Sequence, residues 1–281
     1  MALFRQVTIV GLGLMGGSLG LVLKRKRLAA TVVGLSRTQA TWREAKRRRV
    51  IDAGTTDPRQ AVRDADLVVL AIPVDAIPRY AKRLTRFMKP GSVLTDVGST
   101  KAAIVRTLAG RLPSGIAFVG GHPIAGSERY GLDAADAALF DGSLCILTPT
   151  GRTSPRALAA VKRFWGRIAG RVVLMSPARH DRLLAGTSHL PHLLAFCLAD
   201  AVGRVPLGHS PRSLLDMTRL AESCPDLWDD IFLSNRASLR GAVSRFDRSW
   251  RRLRTAVARG DRAGLLRLLR RAQSARHAFK D

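Results

Sequence analysis

Five clusters in this 281-residue chain combine residue types and spacings that can do chemistry. The first, Gly11-Leu12-Gly13-Leu14-Met15-Gly16, fits G-x-G-x-x-G and follows directly on the β-branched run Gln6 to Val10. In such a loop the first glycine permits a tight turn, the second lets the backbone approach a pyrophosphate, and the third lets helix and strand pack closely. The helix that follows offers free N–H groups and a partial positive charge to the phosphates. Leu14 and Met15 belong to the same loop, and Ile72 and Pro73 close the third apolar strand at the same edge. About 20 residues past the loop, where a carboxylate would bond the ribose hydroxyls of NAD, the second strand ends Gly34-Leu35-Ser36-Arg37. Ser36 can hydrogen-bond a 2′-phosphate and Arg37 can pair with its charge, which favours NADP with NAD possible.

Asp96 to Lys101 follows the fourth strand, and Gly120-Gly121-His122-Pro123 follows the fifth. Both sit at the carboxyl edge where open α/β sheets place ligands. Between glycines and a proline, just beyond the fifth strand, His122 is held on a stiff backbone suited to face a cofactor; the alternative from this segment alone is a turn histidine with a structural hydrogen bond. In Thr187-Ser188-His189-Leu190-Pro191-His192, Ser188 and His192 lie four apart and share a helical face, while His189 points elsewhere and reads as structural. Arg219 lies one turn from Asp216, among Leu214, Leu215, Leu220 and Ala221, poised as a carboxylate fork.

The elements that must position these groups alternate. Strands are expected at 6–10, 31–35, 66–72, 92–96 and 116–119, with helices at 14–26, 38–49, 76–88 and 101–109 between them. Two further strands (144–147, 172–175) flank a helix at 155–168. This pattern predicts a parallel, doubly wound Rossmann-type sheet over residues 1–176. After Met175 no strand is expected. Helices at 177–202, 210–223, 227–243 and 248–277 make residues 177–281 an all-α unit suited to substrate binding and dimerisation.

The composition narrows the function classes. Hydrophobic residues are 46% and charged residues 24%, which excludes disorder and fibrous classes. Cys145, Cys197 and Cys224 are too few and scattered for a metal site or bridge framework, and read as small buried apolar residues in a reducing compartment. The 17-residue uncharged stretch from Val7 to Leu23 holds five glycines and falls short of a comfortable membrane span, so a soluble cytoplasmic protein with no membrane partner is expected. Lys+Arg number 47 against 21 Asp+Glu, a net charge of +26, and 39 of the basic residues are Arg. The densest part, residues 236–281, carries 14 basic and 3 acidic residues among Leu and Ala. With aromatics at 5% it reads as a solvated helical face rather than a nucleic-acid surface, though such a field still attracts anions.

Taken in order, G-L-G-L-M-G-G-S, D-V-G-S-T-K, G-G-H-P-I-A-G-S-E, S-H-L-P-H and D-M-T-R-L-A-E-S-C-P-D-L-W-D-D-I-F-L-S-N resemble the prephenate/arogenate dehydrogenases of tyrosine biosynthesis, from about residue 6 to residue 235. The resemblance implies a nucleotide-binding domain followed by a helical dimerisation domain, a homodimer, and oxidation of a cyclohexadienol carbon by hydride transfer to nicotinamide with loss of carbon dioxide. It implies that His122 accepts the hydroxyl proton and that Ser99 bonds the same hydroxyl or His122. Arg219 would bind the ring carboxylate. Ser188, His192 and Ser127 would line the pocket around the substrate side chain, with Glu128 a gate or pocket-charge residue. The final His of S-H-L-P-H, His192, goes with prephenate use in the family. The G-L-S-R strand end and the T-Q-A-T-W-R-E-A-K after it resemble NADP-dependent arogenate members, so use of both substrates is expected. Leu215 stands where a Lys often precedes D-x-T-R.

Two other readings compete. A β-hydroxyacid dehydrogenase also opens with G-L-G-x-M-G but relies on a Lys in its second domain, and residues 177–279 contain none. A dinucleotide sensor or nucleic-acid binder would account for the charge but not for His122, Ser99 and Arg219 falling together in family motifs.

Overall fold

The computed structural model describes residues 2–204 and 211–280. Strands β1 (Phe4–Val10), β2 (Ala29–Leu35), β3 (Ala53–Thr55), β4 (Leu67–Leu70), β5 (Val93–Asp96), β6 (Ala117–Ile124), β7 (Leu144–Thr148) and β8 (Arg171–Leu174) form one sheet in the order β3-β2-β1-β4-β5-β6-β7-β8. Helices α1 (Leu14–Arg25), α2 (Gln39–Arg47), α3 (Pro58–Val62), α4 (Ile77–Leu84), α5 (Ala102–Leu108) and α6 (Pro155–Gly166) connect them. β4 reads Leu-Val-Val-Leu and is buried throughout, because helices cover both faces of the sheet. Leu19 and Leu23 of α1 and Phe164 and Trp165 of α6 fill one side. Ile77 and Leu84 of α4, Ile104 of α5, and later Trp228 and Ile231, fill the other.

The doubly wound expectation holds, with two refinements. Sequence reading passes over β3 and α3, a three-residue edge strand and a five-residue helix too short to show periodicity. The second concerns β6, which does not stop at Val119. It runs parallel to β5 as far as Val119 and then pairs antiparallel with β7 from Gly120 to Ile124, so the sheet is mixed. His122 therefore lies within a strand, opposite Ile146, and not in a turn. Pro123 is tolerated there for a definable reason. Gly121 N–H points to the Asp96 carboxylate at the end of β5, and the alternation of strand residues turns the imino side of Pro123 the same way, past the last residue of β5.

Beyond β8 the expected helix 177–202 is three pieces: α7 (Pro177–Leu184), one π-helical turn (Ala185–His189) and α8 (Leu190–Val202). Pro191 has no N–H for the helical ladder, and the wider turn absorbs the mismatch. The expected helical start at Ser210 lies outside the described residues; α9 (Arg212–Thr218) passes into a 3-10 turn, Arg219–Glu222. The last helices are α10 (Pro225–Ser234), α11 (Arg236–Ala258) and α12 (Arg262–His277), not 227–243 and 248–277. The breaks are set by Asn235 and by Gly260-Asp261, where Gly260 adopts φ +61° and the Asp261 carboxylate accepts from Gly264 N–H.

Packing divides the chain into two compact units, Met1–Asn235 and Arg236–Asp281. Helices α7 to α10 belong to the first; α11 and α12 form the second. No described helix is long and apolar enough to cross a membrane. Cys145 is buried as expected, but Cys197 is exposed on α8 and Cys224 is half-buried, so the reading of all three as core residues is corrected.

Candidate active site

A cleft of about 710 Å³ opens where β1, β4, β5 and β6 end, closed on its far side by α7, α8 and the segment from Arg219 to Ile231. It gathers Gly13, Leu14 and Met15 from the first loop, Ile72 and Pro73 after β4, Ser99 after β5, His122, Ser127 and Glu128 from β6 and its continuation, and Ser188, His192 and Arg219 from the helical segment. The β1/β4 junction, where the strand order reverses, is where open α/β sheets bind dinucleotides.

Gly11 and Gly16 lie beneath the loop. Gly11 has φ +92° and any Cβ there would come 2.3 Å from the Ala71 carbonyl oxygen, while a Cβ on Gly16 would meet the Gly11 carbonyl oxygen at 1.9 Å. Over Gly13 the space is open, and Gly13 starts α1 without a side-chain cap. The uncapped amides of α1 beside an open backbone fit a dinucleotide phosphate. Ser36 and Arg37 stand apart from the cleft lining, at the end of β2. The Ser36 hydroxyl donates to the Thr38 carbonyl oxygen at 2.7 Å, so its lone pairs, not its proton, face outward; Arg37 is exposed and forms no ion pair with a described residue.

His122 is buried. Its Nδ1 lies 2.8 Å from His180 Nε2, and His180 Nδ1 lies 2.7 Å from Asp181 Oδ1. Asp181 also accepts the backbone N–H groups of Lys101 (2.8 Å) and Ala102 (2.9 Å), tying α7 to the start of α5. Burial pushes the Asp181 carboxyl up, but its hydrogen bonds from His180, Ala102 and Lys101 outweigh this and hold it below the usual carboxylate range. Burial holds His180 below the ordinary imidazole value despite Asp181. It holds His122 well below that value, with the charges of His180 and Lys101 acting in the same direction. His122 is accordingly a neutral imidazole.

Ser99 lines the cleft without a hydrogen bond to His122, whose ring is held by His180. Behind Ser99, Lys101 and Asp96 form an ion pair in which both side chains are 0% exposed. Asp96 also accepts from Gly98 N–H at 3.0 Å and Gly121 N–H at 3.1 Å, so one carboxylate fixes the backbone beside Ser99 and beside His122.

On the helical side, His192 Nδ1 sits 2.9 Å from the Ser188 carbonyl oxygen and its ring stacks on Trp228 at 3.5 Å. His189, expected to point away, is buried and lines the cleft. The Asn235 amide donates to its Nδ1 at 3.1 Å and to the Asp181 carbonyl oxygen at 2.8 Å. Burial lowers His189 to about 4. Arg219 is not enclosed by apolar neighbours: it is 56% exposed at the rim and pairs with Glu128 at 3.4 Å, while Leu215 is exposed. His180, Asp181, Asn235 and Trp228 were missed by sequence reading. An adjacent His-Asp pair on the first helix after the last strand is the one signal that could have pointed to two of them.

The chain matches two family models, the nucleotide-binding domain of prephenate dehydrogenase over residues 19–174 and its dimerization domain over residues 176–271. The cyclohexadienyl dehydrogenase of Zymomonas mobilis is 38% identical over the whole chain and 98% of its own length. The prephenate dehydrogenase of Bacillus subtilis is 31% identical over 96% of this chain and 75% of its own length. Among solved structures, the A. aeolicus prephenate dehydrogenase in complex with hydroxyphenyl propionate and NAD+ superposes with a TM-score of 0.90 at 34% identity, covering 98% of each chain. Arogenate dehydrogenase from Synechocystis superposes at 0.80 and 28% identity, over 98% of this chain and 99% of its own. Across both halves of its length, this chain belongs to the prephenate dehydrogenase family.

Proposed function

We propose that the protein oxidatively decarboxylates prephenate and arogenate in tyrosine biosynthesis, with NADP as the favoured acceptor and NAD as an alternative. The observation that carries this is a buried neutral imidazole, His122, opening on the same cleft as the Gly13 loop and the rim cation Arg219. When bound, a nicotinamide supplies the hydride acceptor. The chain's own residues do the rest. His122 takes the proton of the ring hydroxyl as the carbon beneath it is oxidised. Ser99, on the backbone held by Asp96, hydrogen-bonds the same hydroxyl. Arg219 exchanges Glu128 for the ring carboxylate and releases it as carbon dioxide when the ring aromatises. Ser188, Ser127 and His192, its ring braced by Trp228, receive the side chain, whose keto or ammonium group distinguishes the two substrates.

For the cofactor, Gly11, Gly13 and Gly16 shape the phosphate loop, Leu14, Met15, Ile72 and Pro73 pack beside it, Arg37 meets a 2′-phosphate, and Ser36 turns its hydroxyl proton from the Thr38 carbonyl to a phosphate oxygen. The unpaired Arg37 and the lack of a carboxylate at the end of β2 support NADP; the same strand end supports the second reading, an NADP-dependent arogenate-specific enzyme. We take residues 1–176 as the dinucleotide-binding domain and 177–281 as the substrate-binding and dimerisation domain of a homodimer. Trp250 (51% exposed) and Val257 (65%) on α11 are apolar surface suited to a second copy.

The test is reduced-nicotinamide formation with prephenate and with arogenate, each with NADP and with NAD. Turnover of both substrates, faster with NADP, is expected. Arogenate turnover alone selects the second reading, and no turnover in any pairing while the dinucleotide still binds refutes both.

A further inference from the structure

The proton positions along the row Asp181, His180, His122 follow from the contacts once the carboxylate is ionised and both imidazoles are neutral, the states their surroundings favour. An ionised Asp181 has only acceptors, so the 2.7 Å contact requires a proton on His180 Nδ1. A neutral His180 then carries a lone pair on Nε2, so the 2.8 Å contact requires His122 to donate from Nδ1. A neutral His122 protonated on Nδ1 has its remaining lone pair on Nε2. That nitrogen bonds no described residue, and the ring lines the cleft. We infer that His180 and Asp181 are positioning residues for the reaction, locking His122 in the one tautomer whose Nε2 faces the substrate hydroxyl as a proton acceptor.

When the hydroxyl O–H bond breaks and the N–H bond forms at Nε2, the new positive charge spreads over an imidazolium whose Nδ1–H points at His180, itself polarised by Asp181. No proton needs to leave His122 in that step. Without His180, nothing in the row holds Nδ1 protonated, and the ring is free to present an N–H, which cannot accept, to the cleft. The inference rests on the proposed proton transfer to His122, but it concerns residues that the transfer does not itself require.

The groups facing this row come from five elements: His180 and Asp181 from α7, Lys101 at the start of α5, Asp96 at the end of β5, His189 from the π-helical turn, and His122 on β6. Asp181→Asn removes the anion behind His122 while leaving the cations in place. Protonated His122 then becomes less favourable, and the acid limb of log kcat/KM moves to lower pH while the plateau falls. A merely structural role for Asp181 would lower the plateau and leave the limb unmoved.

His180→Phe removes the acceptor for His122 Nδ1–H. It should lower kcat by about 10²–10⁴-fold, the range for a lost general base, with KM and dinucleotide binding nearly unchanged. His180→Gln keeps an acceptor oxygen near the Nε2 position and should recover most of that loss. Because Asp181 also holds the start of α5, the decisive measurement leaves His180 and Asp181 unaltered. In the wild-type protein labelled with ¹⁵N-histidine, at a pH where the rings are neutral, the imidazole nitrogens of His122 report which one bears the proton, with His122→Asn assigning the signal. Protonation on Nδ1 is expected. Protonation on Nε2, or equal loss in His180→Gln and His180→Phe with an unmoved acid limb in Asp181→Asn, overturns the inference. Either result can occur in an enzyme that turns over prephenate, so it is distinguishable from failure of the proposed function, which would appear as an inactive wild type.

Discussion

The buried Lys101–Asp96 pair offers the sharpest energetic test of how the site is held. Both side chains are 0% exposed, and the carboxylate also binds Gly98 and Gly121 N–H. Lys101→Met leaves a buried carboxylate with two amide donors and no cation; Asp96→Asn leaves a buried ammonium with no anion. Breaking a buried pair from one side costs about 3–5 kcal/mol. The double variant carries no charge. Its Asn oxygen keeps one amide donor and leaves the other unsatisfied, at a cost of about 1–3 kcal/mol. The cycle should therefore depart from additivity by at least about 3 kcal/mol in the rescuing direction. Equilibrium denaturation of the full chain measures it. At about 2–4 °C per kcal/mol, each single variant should melt about 6–20 °C lower, and the double variant, at about 2–12 °C lower, should melt above either single. Because the same carboxylate fixes the backbone beside Ser99 and His122, both single variants should also lose turnover. If the single costs simply add, or the singles melt within a degree or so of wild type, the two side chains do not function as a desolvated pair and the reasoning fails.

His122→Asn should cut turnover by about 10²–10⁴-fold with dinucleotide binding nearly unchanged; unchanged turnover in steady-state assays removes His122 from the mechanism. Arg219→Ala should raise the substrate KM about 10- to 150-fold, the equivalent of a charge-assisted contact worth about 1.5–3 kcal/mol, and a static KM would move the carboxylate site elsewhere. Burial lowers His122, His180, His189 and His192 in the folded protein, so each favours the folded state above the unfolded-state value of about 6.5 and loses that contribution as pH falls, for His189 down to about 4. The melting temperature should therefore drop between pH 7 and pH 5, and a flat or rising profile would contradict neutral burial. With a net charge of +26 and a substrate bearing two carboxylates, kcat/KM should fall several-fold as ionic strength rises from about 0.01 to 0.1 M, where the Debye length shrinks from about 30 to about 10 Å, with the change in KM; loss confined to kcat would refute steering.

What could be read from the sequence was what is local. The Gly11–Gly16 loop declares itself because its chemistry and its spacing lie within one turn, and the sheet follows from runs such as Leu67–Leu70 that only a doubly covered strand can bury. His122 was found through its neighbours, yet placed just beyond the strand rather than within it. Gly-Gly-His-Pro looks like a break until Asp96 and β7 supply the hydrogen bonds that keep β6 extended. His180 was not legible because its partner lies 58 residues away on another element, and Asn235 reaches back 46 residues to His189. Periodicity also passed over the helix breaks at Asn235 and Gly260, which depend on a side chain committed elsewhere and on one left-handed residue. The Arg219 expectation failed on burial: apolar neighbours in sequence did not become apolar neighbours in space, and Arg219 came to rest at the rim beside Glu128.

That last difference gives the site its division of labour. The exposed Arg219–Glu128 pair is cheap to open, since an exposed pair at 3.4 Å contributes at most about 1 kcal/mol, so an incoming carboxylate can displace Glu128 with little loss. The floor has the opposite requirement. Oxidising the ring carbon by hydride loss builds positive charge beside the hydroxyl, and a cation at His122 would oppose it. Burial and the nearby positive charges keep His122 neutral until it takes the proton, and Asp96, in contact with Lys101, keeps the nearest ammonium from acting as an unopposed charge. In a protein of such large positive charge, burial and nearby cations keep the base neutral, but it can take up a proton only where those cations are paired, as Lys101 is, or held at the solvent edge, as Arg219 is.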